Sequence, residues 1–414
     1  MIRNQHYHIS DQRYCELSSG LLKKAVNSKK ITQDEADLIS KYSFDELENI
    51  SQHREYAIVD LLILNREFFP NYTIIKTVDV QTGMRNMKNA VKPDGTPRFK
   101  RNSLIDRIKA AKRFFIWMAN NGYDMNLDNE KLNKISPPAS DRITKTSNNI
   151  LDEGEMEKFL SAIGGNTRDK ALFALLYEAG LRPRELADLT WGDLKFTEWN
   201  VVCTTAGKTG KSRYIPLVIS RQYLANWRNN YPQPETADSF VFVKLRKDSK
   251  TGTYLPISYK TLQPLINKYM TKAGITKKIT PHCFRHSKIT NLLREGCSEA
   301  HIKKMMWGST STNMIPTYEH LVNNDMDEYV AKMYGIKIQT KEEKKKIGLQ
   351  PRQCERCATI NSPTSKYCEE CGAPLTDEGI DKTELNKKEL LEMLKDVNVM
   401  MEFQRILSEY QSKV

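Results

Sequence analysis

The stretch RDKALFALLYEAGLRPRELADLTWGDL, residues 168–194, decides how the chain is read. Leu172, Leu175, Leu176 and Ala179 recur at helical spacing and line one face of an amphipathic helix. Gly180 is suited to end that helix, because helices often stop on a left-handed residue and glycine meets no Cβ clash there. Pro183 fits the first turn of a following helix, where its missing N–H costs nothing. Arg182 is therefore held at a corner between two helices, fixed by apolar residues on either side. From there its guanidinium can point into a cleft or pair with nearby Glu185.

Downstream, VVCTTAGKTGKSRYIPLVI (201–219) sets β-prone runs on both sides of GKTGK, whose glycines supply the backbone freedom of a hairpin turn. Lys208 and Lys211 then lie at or beside the hairpin tip, within reach of a phosphate or idle in solvent. KKITPHCFRHSKITNLLREG (277–296) offers Thr280 as an N-cap and Pro281 as a first-turn residue, with Ile289, Leu292 and Leu293 on the buried side of the helix. His282 and Arg285 are three apart, which puts an imidazole and a guanidinium on one face beside a helix N-terminus that itself favours anions. In MMWGSTSTNMIPTYEHL (305–321), Tyr318 follows a loop and His320 comes two residues later. No structural core requires the order Arg, Lys, His-x-x-Arg, Tyr within about 140 residues.

Taken together, GLRPREL, GKTGKSRYIPL, TPHCFRH and TYEHL resemble the boxes of the tyrosine recombinase (phage integrase) family, in the family's order, over roughly residues 150 to 325. The helical module ahead of them is similar in position and character to the family's core-binding domain. The resemblance implies a catalytic set of Arg182, Lys208, His282, Arg285 and Tyr318. In the family's chemistry, Tyr318 would attack a DNA phosphate and hold it as a 3′-phosphotyrosine, so that neither ATP nor a metal is needed for strand transfer. Arg182 and Arg285 would clamp the equatorial oxygens, while His282 adds a hydrogen bond or accepts the tyrosine proton. Lys208 is implied as general acid for the departing 5′ oxygen, with Lys211 as the fallback. The family's partners would be double-stranded DNA and further copies of the chain, a dimer on a site and a tetramer in synapsis.

One feature departs from the family's pattern. Counting back from Tyr318 places Gly308 or Ser309 where the family has a histidine, or a tryptophan, ahead of the nucleophile. Trp307 is the nearest substitute, its indole N–H being able to donate to a phosphate. Two other activities use the same groups or the same fold: type IB topoisomerase-like relaxation of DNA, and DNA binding by a non-catalytic regulator.

Working outward, 414 residues suffice for two or three domains, and an excess of 13 positive charges suits a polyanionic partner. The first hundred residues read as largely helical, interrupted by VKPDGTPRFKR. Their clearest helix runs from Ser103 as N-cap to about Gly122, with Leu104, Ile108, Phe115 and Met118 on one stripe. Its other face carries Arg107, Lys109 and Arg113, either a solvated face or an arm that touches phosphate. The expected organisation is a helical core-binding region over 1–135, a Ser/Pro/Asn-rich linker over 136–149 and a catalytic domain over 150–335. A charged linker over 336–350, a four-cysteine zinc ribbon over 351–376 and a helix over 380–414 complete it. The fold class is mainly α, multidomain, with a small β-hairpin or sheet in the catalytic domain.

In CERCATINSPTSKYCEECGAPL (354–375), two Cys-x-x-Cys pairs lie ten residues apart. That spacing lets Cys354, Cys357, Cys368 and Cys371 converge on one tetrahedral ion, structural zinc being expected because four thiolates leave no open position. In the terminal helix, Leu390, Leu394, Val397 and Met401 share a face fit for docking or self-association. The polar opening lacks the apolar core of a signal peptide, and no run of about 18 apolar residues occurs, so a cytoplasmic protein without a membrane partner is expected.

Overall fold

The computed structural model describes residues 11–123, 126–141, 149–206, 212–319 and 349–393, with isolated positions from 330 to 336 and from 395 to 408. The chain divides into two compact units, Met1–Thr144 and Lys145–Val414. No described helix is long and apolar enough to cross a membrane.

Unit one is helical: α1 (Asp11–Asn27), α2 (Gln33–Leu47), α3 (Gln52–Asn65), α4 (Thr77–Asn89), α5 (Arg101–Asn120) and α6 (Asn129–Asn133). Its core is an aromatic cluster in which Tyr42, Tyr72, Phe114, Phe115 and Trp117 meet mostly edge to face, at centroid separations of 5.1–6.3 Å with Phe69. Glu35 is fully buried but satisfied, accepting from the backbone N–H of Thr32 and Tyr72 and from Arg66 Nε.

Two expectations about α5 change. The helix starts at Arg101 with Lys100 as N-cap, and Ser103 lies inside the first turn. Tertiary ties set that start: Arg101 Nε donates to the Ala139 carbonyl, and Asn102 exchanges hydrogen bonds with the Asp141 backbone. The basic face is also partly used inside the unit. Arg107 donates to Asn65 Oδ1 at 2.9 Å and lies 4.4 Å from the Phe99 ring, while Arg113 reaches Glu46. Lys109 is exposed.

In unit two, α7 (Glu153–Ala162) and α8 (Thr167–Glu178) lead into the short α9 (Pro183–Ala187), then into the strands β1 (Leu194–Phe196), β2 (Val201–Ala206) and β3 (Ser212–Leu217). The sequence suggests a hairpin. The structure adds β1 to make a three-stranded antiparallel sheet in the order β1-β2-β3, with Val201 opposite Leu217 and Leu194 opposite Cys203. Pro216 is tolerated because β3 is an edge strand. The chain continues through α10 (Ile219–Asn229), α11 (Tyr259–Lys272), α12 (Pro281–Arg294), α13 (Glu299–Trp307) and α14 (Pro316–Glu319). The two-stranded pair β4 (Arg352–Gln353) and β5 (Ile360–Asn361) carries the cysteine region, and α15 (Asp377–Met393) follows. The architecture is mainly α with small antiparallel sheets, as expected. The core packs α8, buried along most of its length, against Phe159, Tyr269 and Phe284, with Phe173 stacked on Phe284. Glu178 anchors the start of α10 by accepting from the backbone N–H groups of Val218, Ile219 and Ser220.

Candidate active site

The corner after α8 forms as its residues dictate. Ala179 caps the helix, Gly180 follows at φ +54°, and Arg182 is the N-cap of α9 with Pro183 in the first turn. Glu185, one turn in, accepts from the Arg182 backbone N–H and from its guanidinium, both at 2.7 Å. Of the two uses considered above, the structure shows the pair with Glu185, and the Arg182 side chain remains 32% exposed.

Arg285 enters the same space from α12. It is 5% exposed, and its guanidinium donates to the Gly180 carbonyl at 2.6 Å and to the Met306 carbonyl at 2.5 Å. The last turn of α13 supplies that second carbonyl, and Trp307 at its end lays its ring 5.2 Å from the Arg285 guanidinium. Gly308 caps α13 at φ +69°, and Ser309 shares a hydrogen bond with Ser311.

Tyr318 arrives on α14, packed with Ile289, Ile302, Met306 and Ile315 and only 2% exposed. Its hydroxyl lies 2.7 Å from His286 Nδ1. Burial pushes the phenol up to about 12, opposed by the positive charges of Arg285 and Arg182. Burial pushes the Arg285 guanidinium down to about 9, helped by the like charges of Arg213 and Arg182 and opposed by Glu185. Arg182, Arg213 and Arg285 thus share Glu185 as a counter-charge.

Of the residues singled out in the sequence, the structure brings Arg182, Arg285, Trp307 and Tyr318 into one cluster. His282 stands in the first turn of α12, exposed, one turn before the buried Arg285 and the half-buried His286. Thr280 takes the N-cap position without a cap bond to the backbone. Lys208, Lys211 and His320 lie outside the described residues.

Residues 149–325 match the model of the phage integrase family. The tyrosine recombinase XerA of Thermococcus onnurineus (strain NA1) is 32% identical over 229 residues, which span 54% of this chain and 74% of that relative. The chain belongs to the tyrosine recombinase (phage integrase) family. The tyrosine recombinase XerD of Neisseria meningitidis serogroup B (strain ATCC BAA-335 / MC58) is 30% identical over 236 residues, 54% of this chain and 74% of its own length. Among solved structures, a Tn1549 transposon integrase in complex with a circular intermediate DNA aligns at TM-score 0.52 and 18% identity, covering 72% of this chain and 98% of that one. A lambda integrase dimer bound to a COC′ core site aligns at TM-score 0.50 and 13% identity, covering 68% and 94%. This recombinase shares their fold, and it is an enzyme of DNA recombination.

Two residues of the recombinase's site escaped the sequence reading. Arg213 is 1% exposed; it pairs with Glu185 and donates to the carbonyls of Met305 (3.3 Å) and Met306 (3.0 Å). A signal was present: in the alternation of β3, Arg213 falls on the inward phase with Ile215 and Leu217, where a charge needs a partner. His286 follows Arg285 directly, and nothing in its spacing marks it as a partner of a tyrosine 32 residues later.

The recombinase's four cysteines also converge. Their sulfur atoms all lie within 4.8 Å of one another, with Cys354 to Cys371 at 3.6 Å and Cys357 to Cys368 at 3.5 Å. Those separations are far too long for disulfides, and they match the edges of a thiolate tetrahedron around an ion bound at about 2.3 Å. Two tight knuckles build it: Ala358 (φ +57°) donates back to the Cys354 carbonyl, and Gly372 (φ +71°) to that of Cys368. The cluster can hold a metal ion.

Proposed function

We propose that this recombinase is a site-specific enzyme that cuts and rejoins double-stranded DNA through a phosphotyrosine formed on Tyr318. The observation that carries the reading is a buried phenol close to two guanidiniums, Arg285, which donates to the Gly180 and Met306 carbonyls, and Arg182, which pairs with Glu185. In this reading the phosphate sits between Arg182 and Arg285, and His282, at the start of α12, adds a hydrogen bond to a non-bridging oxygen. Trp307, held against Arg285, takes the place of the family's histidine near Gly308 and Ser309. Lys208 protonates the departing 5′ oxygen, with Lys211 as the alternative.

The same reading divides the chain into a DNA-binding helical region over 1–135, a linker over 136–149, a catalytic domain over 150–335 and a charged linker over 336–350. A zinc module over 351–376 and a C-terminal helix over 380–414 follow. Zinc at Cys354, Cys357, Cys368 and Cys371 is structural, since four thiolates fill its coordination sphere and strand transfer draws nothing from it. The enzyme works in the cytoplasm, as a dimer on each site and a tetramer in synapsis.

The test incubates the protein with genomic DNA of its source, denatures the mixture in detergent and looks for DNA that migrates with protein. Wild type should carry DNA covalently, while Tyr318→Phe should bind DNA but carry none. An adduct that survives Tyr318→Phe would overturn the assignment.

A further inference from the structure

We propose that His286 is the catalytic base that takes the phenolic proton of Tyr318 as the strand is cut and returns it as the strand is resealed. The inference rests on the reading of Tyr318 as nucleophile and adds the group that activates it.

The argument starts from α12. Successive helical residues point about 100° apart, so Arg285 and His286 cannot face the same way. Arg285 turns to the Gly180 and Met306 carbonyls, and His286 turns to α14, where its Nδ1 stands 2.7 Å from the Tyr318 hydroxyl with the rings 5.5 Å apart. The hydroxyl is shielded from bulk water and reluctant to ionise, which makes a base already in hydrogen-bond contact the direct route for its proton. His282 lies four residues earlier on the same helix and is exposed. The pair thus divides along the helix: His282 at the N-terminus where a phosphate sits, His286 one turn deeper on the phenol.

The charged groups around the pair act on the phenol. Arg285 flanks His286 on its own helix, and Arg182 acts on Tyr318 from the α8–α9 corner. Both stabilise a developing phenolate. The α13 side of the pocket brings the apolar Ile302 and Met306.

The step balances. With its proton on Nε2, His286 accepts the phenolic proton at Nδ1 while the tyrosine oxygen bonds to phosphorus and the P–O5′ bond breaks. The O5′ atom takes a proton from the acid on the leaving side, assigned above to Lys208. In resealing, O5′ gives that proton back, attacks phosphorus and expels the tyrosine oxygen, which recovers its proton from His286.

The experiment measures single-turnover adduct formation on genomic DNA of the source across pH, in the full chain, for wild type, His286→Gln and His286→Ala. Gel retardation and thermal melting check that each variant binds DNA and folds. In the expected result, His286→Gln binds DNA normally and cuts about 10²–10⁴-fold more slowly near neutral pH. Its rate should keep rising into the alkaline range, whereas wild type levels off above the titration of an imidazole. Added imidazole should restore part of the rate in His286→Ala. Cutting at the wild-type rate in either variant overturns the proposal. So does a slow His286→Gln whose pH profile parallels that of wild type, because that outcome belongs to a group that only positions the ring. Should wild type itself form no Tyr318-dependent adduct, the nucleophile assignment fails and the proposal falls with it.

Discussion

Tyr318 is held as a neutral phenol because its burial penalises the phenolate more than the nearby guanidiniums reward it. Its folded value, about 12, lies above the ordinary 10, so the folded state keeps the proton more tightly than the unfolded chain. The stabilisation this gives is complete below the unfolded value and is lost as pH rises through the folded one. Tyr318→Phe should therefore melt less steeply in alkali. Between about pH 9 and about pH 11, wild type should lose roughly 1 kcal/mol more stability than the variant, read from paired thermal melts. Equal losses would show that the phenol titrates as it does in solvent. Arg285 has the opposite character, a cation kept in a buried site by two carbonyls at 2.5–2.6 Å and by the nearby Glu185 carboxylate.

At the scale of elements, the site depends on where α8 stops. Gly180 is in the left-handed region, and a Cβ there would come 2.9 Å from Met306 Sδ and 3.7 Å from Arg285 Cγ. Gly180→Ala should cost about 1–3 kcal/mol from backbone strain, and also displace the arginine that the Gly180 carbonyl anchors. Denaturant melts should register the first effect. A fall in adduct formation under conditions where the variant is fully folded should register the second; unchanged cutting would mean that the corner does not position Arg285. The Met306 carbonyl serves Arg285 and Arg213 together, so the last turn of α13 couples β3 to α12. A terminal carbonyl of a helix is available for this because it has no partner further along its own helix.

At the scale of the molecule, the four-cysteine module is docked on the catalytic unit. Gln222 on α10 accepts from the Ser362 backbone N–H, the Tyr223 hydroxyl meets Thr364 at 2.7 Å, and Asn226 donates to Glu369 at 3.1 Å. Arg352 reaches Glu157 on α7. The opposite face of α10 buries Leu224 and Trp227 in the core, so one helix joins module and core. If the module holds zinc as proposed, a strong chelator should release about one zinc ion per chain, expose residues 351–376 to protease and lower the melting temperature by several degrees. Retention of protease resistance without the metal would show that docking alone holds the module. The C-terminal helix is different, with Ile380, Leu385, Leu390 and Leu391 all exposed, while Leu394 and Val397 fall outside the described residues.

The sequence by itself was enough for the family, the mainly helical class, the turn at Gly180, the arginine at the corner, the buried side of α12 and the spacing of the cysteines. Each of these is a local pattern, set by helical periodicity, capping or the reach of a short loop. The partners of those residues were decided only by the tertiary structure. Ser103 loses the start of α5 to contacts with residues 139–141, because a cap yields when packing supplies other bonds. Arg213 becomes a site residue because β3 turns its inward phase toward α9 and α13. His286, rather than His282, meets Tyr318 because α14 lands on the deeper turn of α12, a placement fixed by the burial of Ile289, Ile302, Met306 and Ile315 around the ring. Such contacts join residues tens of positions apart, and no pattern along the chain encodes them.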